Sequence, residues 1–210
     1  MNKLDKNKCK VLRCNYSDIS NIFKNYHYKT EQIGGGISVC FAMFINDKLI
    51  GGAVLGVPRH EKKYKNCIDV RRMACIDDTP TNTESYFLGQ IIQYITCNTK
   101  YDNVLSYSDL SVNHVGTIYK AANFKKIGTT SPTKWVEWLG KKYHPRSITI
   151  DRDYSYKMRE ALKTGEAKII TGKPKIVWIY KINSKKRGKV KDINIYTGDT
   201  AQLTIFDAGA

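Results

Sequence analysis

Two apolar runs, Ile37 to Ile45 and Leu49 to Val57, flank Asn46-Asp47-Lys48, and this pattern predicts a β-hairpin. Gly51, Gly52 and Gly56 thin the second run and predict a bulge or a close approach to that strand. Cys67 to Cys75 reads as a third strand, unusual in carrying Arg71 and Arg72. Neighbouring strand residues point to opposite faces, so only one of the two arginines is expected to face a given pocket. From Thr81 to Asn98 the period becomes helical: Phe87, Leu88, Ile91, Ile92 and Ile95 form one stripe, and Thr81 with Glu84 reads as a capping box. Val104 to Tyr107 is a buried strand ending at Ser108-Asp109, and Val115 to Ala122 a short helix. Phe124 to Thr130 and Trp135 to Leu139 read as a second hairpin. Upstream, Ser17 caps a short helix carrying Ile22, Phe23 and Tyr26, which His27-Tyr28 ends; residues 1–15 are basic and weakly patterned. Downstream, residues 151–182 hold a helix and the strand-like Ile176 to Tyr180.

The order β-β-β-α-β-α-β-β implies an α/β fold with a mixed central sheet flanked by helices. A β-α-β crossover makes the strands around the capped helix parallel neighbours. At 210 residues one compact domain is expected, over residues 1–183. Past it the composition shifts: Ser184 to Lys191 carries five positive charges and little apolar content, so residues 184–210 are expected to be a mobile basic tail.

Charge sharpens the picture. Lys and Arg total 35 against 19 Asp and Glu, a net of +16, which favours a polyanionic partner over a generic basic surface. No apolar run approaches membrane-spanning length and the N-terminus lacks a signal-peptide core, so a cytoplasmic protein, with no membrane partner, is expected. The six cysteines form no CxxC pair and fit reduced thiols.

Several residues could carry chemistry. Asp109 ends a buried strand, where open α/β sheets place ligands; Ser108 precedes it and His114 follows. A carboxylate there accepts a proton from an amine, or simply caps the next helix. Tyr119 can donate a proton to a leaving group or pack as an ordinary aromatic. Arg72 inside a strand needs either a carboxylate partner or an anionic substrate. Asn82 and Ser85, with Thr83, sit at a helix N-terminus, which binds anions or is merely capped. His27, His114 and Asp109 together have metal-ligand chemistry, but their scatter leaves the metal question open.

In sequence order, His27-Tyr28, Arg72, Pro80-x-Asn82-x-Glu84-Ser85, Ser106-Tyr107-x-Asp109, His114-x-Gly116-x-x-Tyr119-x-Ala121 and His144-Pro145-Arg146-Ser147 resemble the Mom-type DNA adenine modification proteins of bacteriophages, distant members of the GNAT acyltransferase superfamily. The resemblance, over about residues 25–148, implies a GNAT-like sheet. It implies conversion of DNA adenine to an N6-carbamoylmethyl-type adduct that protects phage DNA from restriction in the host bacterial cell. It also implies that Arg72, Ser85, Asp109 and Tyr119 line the site, with His27 and Tyr28 near it. Acyl-CoA is the superfamily's donor. The pyrophosphate loop motif is absent here, because Asp77-Asp78-Thr79-Pro80-Thr81-Asn82 stands in its place. The competing readings are an ordinary GNAT N-acetyltransferase acting on a protein or small-molecule amine, and a non-catalytic DNA- or clamp-binding protein.

Modification of N6 requires a flipped or single-stranded adenine. Tyr64, Tyr101, Tyr107 and Trp135 are candidate stacking residues. Arg59, Lys62, Lys63, Lys65, Lys185, Lys186, Arg187 and Lys189 are candidate phosphate contacts. Near the C-terminus, Gln202, Leu203, Ile205 and Phe206 resemble the bacterial sliding-clamp peptide Gln-Leu-x-Leu-Phe; a last strand or an incidental apolar end is the other reading.

Overall fold

In the computed structural model, which describes residues 3–28, 33, 36–60, 62–149, 152–187 and 195–196, the chain forms a mixed α/β fold. The first hairpin pairs β2 (Ile37–Ile45) with β3 (Lys48–Gly56). Asn46 and Asp47 take φ of 49° and 61°, the two-residue left-handed turn whose twist matches that of the strands. β1 (Cys9–Cys14) runs antiparallel to β2, from Cys9 opposite Ile45 to Cys14 opposite Cys40. The sequence reading has no strand here. Cys9 and Val11 are buried while Lys10 and Arg13 are exposed, so charged residues interrupt the apolar signal.

β4 (Cys67–Cys75) is antiparallel to β3, and β5 (Asn103–Asp109) is parallel to β4 across helix α2 (Thr83–Asn98), as the crossover requires. α1 (Tyr16–Tyr26) lies on one sheet face, where Ile19, Ile22 and Phe23 pack on Cys40, Ala42, Phe44, Val54 and Ala74. α2 covers the other face, with Tyr94 edge-on to Phe41 at 5.0 Å. Gly52 admits α1, and Gly51 leaves room for Cys75 on the neighbouring β4. A Cβ on Gly52 would meet Ile19 Cβ at 2.9 Å, and one on Gly51 would meet Cys75 Sγ at 2.8 Å.

Both helix starts differ from expectation. α1 is capped by Asn15, not Ser17; its N–H donates to Asp18 at 2.8 Å, the return half of a capping box. α2 starts at Thr83 behind Asn82, which is left-handed at φ 70°, and Thr81 instead bridges Lys3.

Short elements follow: α3 (Thr117–Ala121), β6 (Lys125–Thr129), β7 (Lys134–Trp138), β8 (Lys141–Tyr143), α4 (Arg146–Thr149), α5 (Asp153–Thr164), β9 (Lys168–Thr171), β10 (Lys175–Lys181) and β11 (Ile195–Tyr196). The large sheet has the order β11-β1-β2-β3-β4-β5-β10-β6, and a smaller one the order β8-β7-β9. The expected hairpin between residues 124–130 and 135–139 therefore does not form. Pro132 interrupts the connection, and β7 pairs with β8 and β9 instead.

The chain folds as two compact units. The first holds Met1–Tyr107, Gly116–Lys126 and Trp178–Ala210; the second holds Ser108–Val115 and Ile127–Val177. The second unit has its own small core of Val136, Met158, Ala161 and Ala167. Most of the tail expected from residue 184 lies outside the described residues. Arg187 Nη2 donates to the Tyr101 carbonyl at 2.7 Å and to Asp102 Oδ1 at 2.9 Å, and β11 pairs in parallel with β1. Arg187 is thus tied to the loop that precedes β5. Lys189 and residues 202–206 lie outside the described residues. No described helix is long and apolar enough to cross a membrane.

Candidate active site

β4 and β5 share a ladder only from Cys67–Val70 against Asn103–Ser106. Beyond Val70 and Ser106 they diverge, opening a fork at the C-terminal strand ends, where sheets of this kind bind ligands. Val54 opposes Arg72 while Leu55 opposes Val70, so Arg71 is an extra residue and β4 bulges there. The bulge breaks the strict alternation expected of the two arginines. Arg71 Nη2 donates to the Val57 carbonyl at 2.6 Å, and its guanidinium fills the space a Cβ on Gly56 would need. Arg72 stays with Val54 on the α1 face, its guanidinium 5.8 Å from the Phe23 ring centroid.

Phe23 links Arg72 to two more expected residues. His27 lies edge-on to Phe23 at 6.2 Å, and Tyr28 stacks on His27 at 4.6 Å. The structure thus gathers Arg72 and His27 around one buried phenylalanine, with Tyr28 stacked on His27.

Tyr119 reaches the fork from the α2 side. Ser106 Oγ donates to its hydroxyl at 2.9 Å and lies 3.3 Å from the Val70 carbonyl. The Tyr119 ring stacks on Trp178 at 5.9 Å and meets Phe124 edge-on at 5.5 Å. Gly116 permits this packing: it is left-handed at φ 81°, and any Cβ there would run into the Trp178 indole. Burial pushes the Tyr119 phenol above its ordinary pKa, and Asp69 and Glu84 add to the rise against the Ser106 hydrogen bond. Asp69 is the residue the sequence reading missed. It is a buried carboxylate on β4, opposite Leu105 in the ladder. Burial, then Asp69 and Tyr64, likewise raise Tyr107. One acidic position in an apolar strand, Ile68-Asp69-Val70, was the available signal.

Asn82 and Ser85 border an open cavity of about 260 Å³ at the start of α2, with Lys3, Lys6, Tyr86 and Ala121 also lining it. The residues do not fit the CoA pyrophosphate. Pro80 offers no N–H, the Thr83 N–H and hydroxyl both donate to the Pro80 carbonyl, and Ser85 Oγ donates to the Asn82 carbonyl. Exposed Asp77 and Asp78 precede them.

Asp109, Ser108 and His114 belong to the second unit. Ser111 N–H donates to Asp109 Oδ1 at 3.0 Å, Ser111 Oγ donates to the same oxygen, and Lys175 Nζ lies 3.3 Å from Oδ2. Burial acts to raise the carboxyl, but Ser111 and Lys175 outweigh it and hold Asp109 below the usual range. The His114 N–H donates to the Asp109 carbonyl at 3.1 Å. Among the described residues no three His, Cys, Asp or Glu side chains gather as metal ligands. Arg59, Lys62, Lys63 and Lys65 are exposed on the loop before β4, as is Lys185 beyond β10.

No curated protein matches the chain. Solved structures give the fold. A ribosomal-protein-S5-alanine acetyltransferase from Vibrio fischeri superposes with a TM-score of 0.52 at 9% identity, covering 87% of this chain and 98% of its own. An IAA acetyltransferase from Bacillus cereus gives 0.54 at 9% identity, with 83% and 99% covered. An N-acetyltransferase from Staphylococcus aureus gives 0.51 at 14% identity, again with 83% and 99% covered. The architecture is therefore that of the GNAT acetyltransferases. The sequence profile of the Mom protein family matches residues 8–196, and the chain belongs to that family.

Proposed function

We propose that this protein is a transferase that modifies adenine in DNA, attaching a carbamoylmethyl-type group at N6 and shielding phage DNA from restriction in the bacterial cytoplasm. Family membership supports the reading, and the observation that carries it is the strand fork with Arg72 on one face and the Tyr119–Ser106 pair on the other. Modification at N6 needs a proton acceptor for the amine, a proton for the leaving group, and a cation for a carboxyl or carbonyl oxygen. Tyr119, held above its ordinary pKa, stays protonated at neutral pH and suits the donor role. Arg72 supplies the cation. Asp109, kept ionised by Ser111 and Lys175, has the chemistry of the acceptor, and that role rests on its motif match. The net charge of +16 and the exposed Arg59, Lys62, Lys63 and Lys65 suit a phosphate backbone. The α2 start disfavours an ordinary acetyl-CoA-dependent N-acetyltransferase. Recruitment by a sliding clamp through Gln202, Leu203, Ile205 and Phe206 is a separate part of the proposal. Equal retention of the intact chain and of Leu203→Ala/Phe206→Ala on purified clamp discards it.

Mass spectrometry of nucleosides from cells expressing the chain tests the main reading. A new N6-substituted deoxyadenosine is expected, reduced about 100-fold or more in Tyr119→Phe and Arg72→Ala. Unaltered adenine in cells that accumulate folded protein overturns it.

A further inference from the structure

Tyr28 follows α1, where the chain leaves Phe23 and Arg72. Its ring stacks on His27 at 4.6 Å with 29° between the planes, yet Tyr28 keeps 42% of its surface exposed. His27 in turn stands edge-on to Phe23, which is 1% exposed. The result is a layered stack whose inner member is fixed in the core and whose outer ring is partly exposed. An exposed ring held this way loses little freedom when a second flat group settles on it. Other aromatic side chains are arranged differently. Tyr107 is half-buried and hydrogen-bonded to Tyr64, and Trp135 stands edge-on to His144 in the second unit. Tyr26 is as exposed as Tyr28, at 43%, but has no ring stacked behind it among the described residues.

Resting on the DNA reading above, we propose that Tyr28, backed by His27, is the platform on which an unpaired nucleobase stacks before reaction. Phosphate contacts hold the strand without regard to base, whereas a ring platform holds the base itself. Stacking of this kind does not discriminate strongly among bases and does not depend on counterion release. Tyr28 is thus a binding residue, and Phe23 and His27 position it.

The test uses the full chain and a single-stranded thymidine oligonucleotide with one internal 2-aminopurine. Quenching of its fluorescence reports stacking, and anisotropy of an end label reports binding. Wild type and Tyr28→Phe are expected to quench alike. Tyr28→Ala is expected to lose the quench and to bind about tenfold more weakly, by the same factor at low and high salt. Tyr26→Ala is expected to quench like wild type, and equal melting temperatures exclude a folding defect. A Tyr28→Ala protein that quenches like wild type overturns the platform. If that happens while wild type still yields N6-substituted deoxyadenosine, the platform alone fails. If wild type neither binds the oligonucleotide nor alters adenine, the DNA reading fails and the platform with it.

Discussion

The two units are built on different physics. In the first, Phe23, Phe41, Phe87, Ile91, Ile95 and Leu105 are among many large side chains with less than 2% of their surface exposed, and two helices press on opposite faces of one sheet. In the second, Met158 is buried to that degree, and its core partners are the smaller Val136, Ala161 and Ala167. Polar links fill in around them: Lys168 to Glu137 at 3.0 Å, Arg159 to the Ile148 carbonyl at 2.7 Å, and Lys175 to Asp109. The comparison separates a strand fork set by close packing from a carboxylate held by charge. Close packing fixes side chains against a steep repulsive wall, while charge partners respond to pH and salt.

The sharpest way to break this contrast is to empty each core. Leu105→Ala should destabilise the protein by about 4 kcal/mol, and Met158→Ala by about 2 to 3 kcal/mol, because flexible Met sits in a core that collapses more easily. Urea denaturation of both variants measures this, and equal losses would mean that the second core is as tightly set as the first. Glycine gives the next test. Gly116→Ala places a Cβ into Trp178 from a left-handed backbone, and a loss of about 3 kcal/mol is expected. Gly140 in the second unit is also left-handed, at φ 69°, but a Cβ there meets nothing within 4 Å. Gly140→Ala should therefore cost only the backbone strain of about 1 kcal/mol.

The same physics decided what could be read from the sequence. β2, β3, β4 and α2 were legible because burial dictates their apolar period, and β4 runs over the residues read for it. β8 was not: Lys141-Lys142-Tyr143 is an edge strand paired only with β7, and its polar residues carry no burial signal. β1 was hidden by Lys10 and Arg13. In the candidate site, Arg72 and Tyr119 stand out in the sequence as polar groups in apolar elements. The Arg71 bulge was not, because it is a property of register between two strands. Asp69 was missed because a lone carboxylate reads as a strand-edge residue until the fold buries it. Ser106 stands within the Ser106-Tyr107-x-Asp109 pattern, but its hydrogen bond to Tyr119, 13 residues away, depends on where the fold places the next helix.

Alkaline pH probes the first unit. Tyr119 is held above its ordinary pKa, so its folded form keeps a proton that the unfolded chain releases above pH ~10. The stability this provides is complete below that pH and is lost as pH climbs through the folded value. Tyr119→Phe removes the titration, so its unfolding free energy should fall less between pH 9 and about 11 than that of wild type. Parallel curves in chemical denaturation would mean that the phenol is freely solvated.

Acid probes the second unit with the opposite sign and a smaller effect. Asp109 is held below its ordinary range, so its contribution is complete above pH ~4 and disappears as pH falls through the depressed folded value. Lys175→Met removes one of its partners while keeping most of the side chain's length. Because the Asp109 side chain is 8% exposed and that of Lys175 30%, the pair is screened only partly, and the variant should lose about 1 kcal/mol at pH 7. That difference should shrink towards zero below the folded pKa, where the carboxyl is neutral with or without its lysine. Ser111 still supplies its N–H and hydroxyl to Asp109 in the variant, so the carboxyl is expected to stay below its ordinary range and not to return to it. Carbonyl-carbon NMR of Asp109 across the acid range measures this directly. A titration unmoved by Lys175→Met would assign the depression to Ser111 alone and leave the ion pair without a part in holding the second unit.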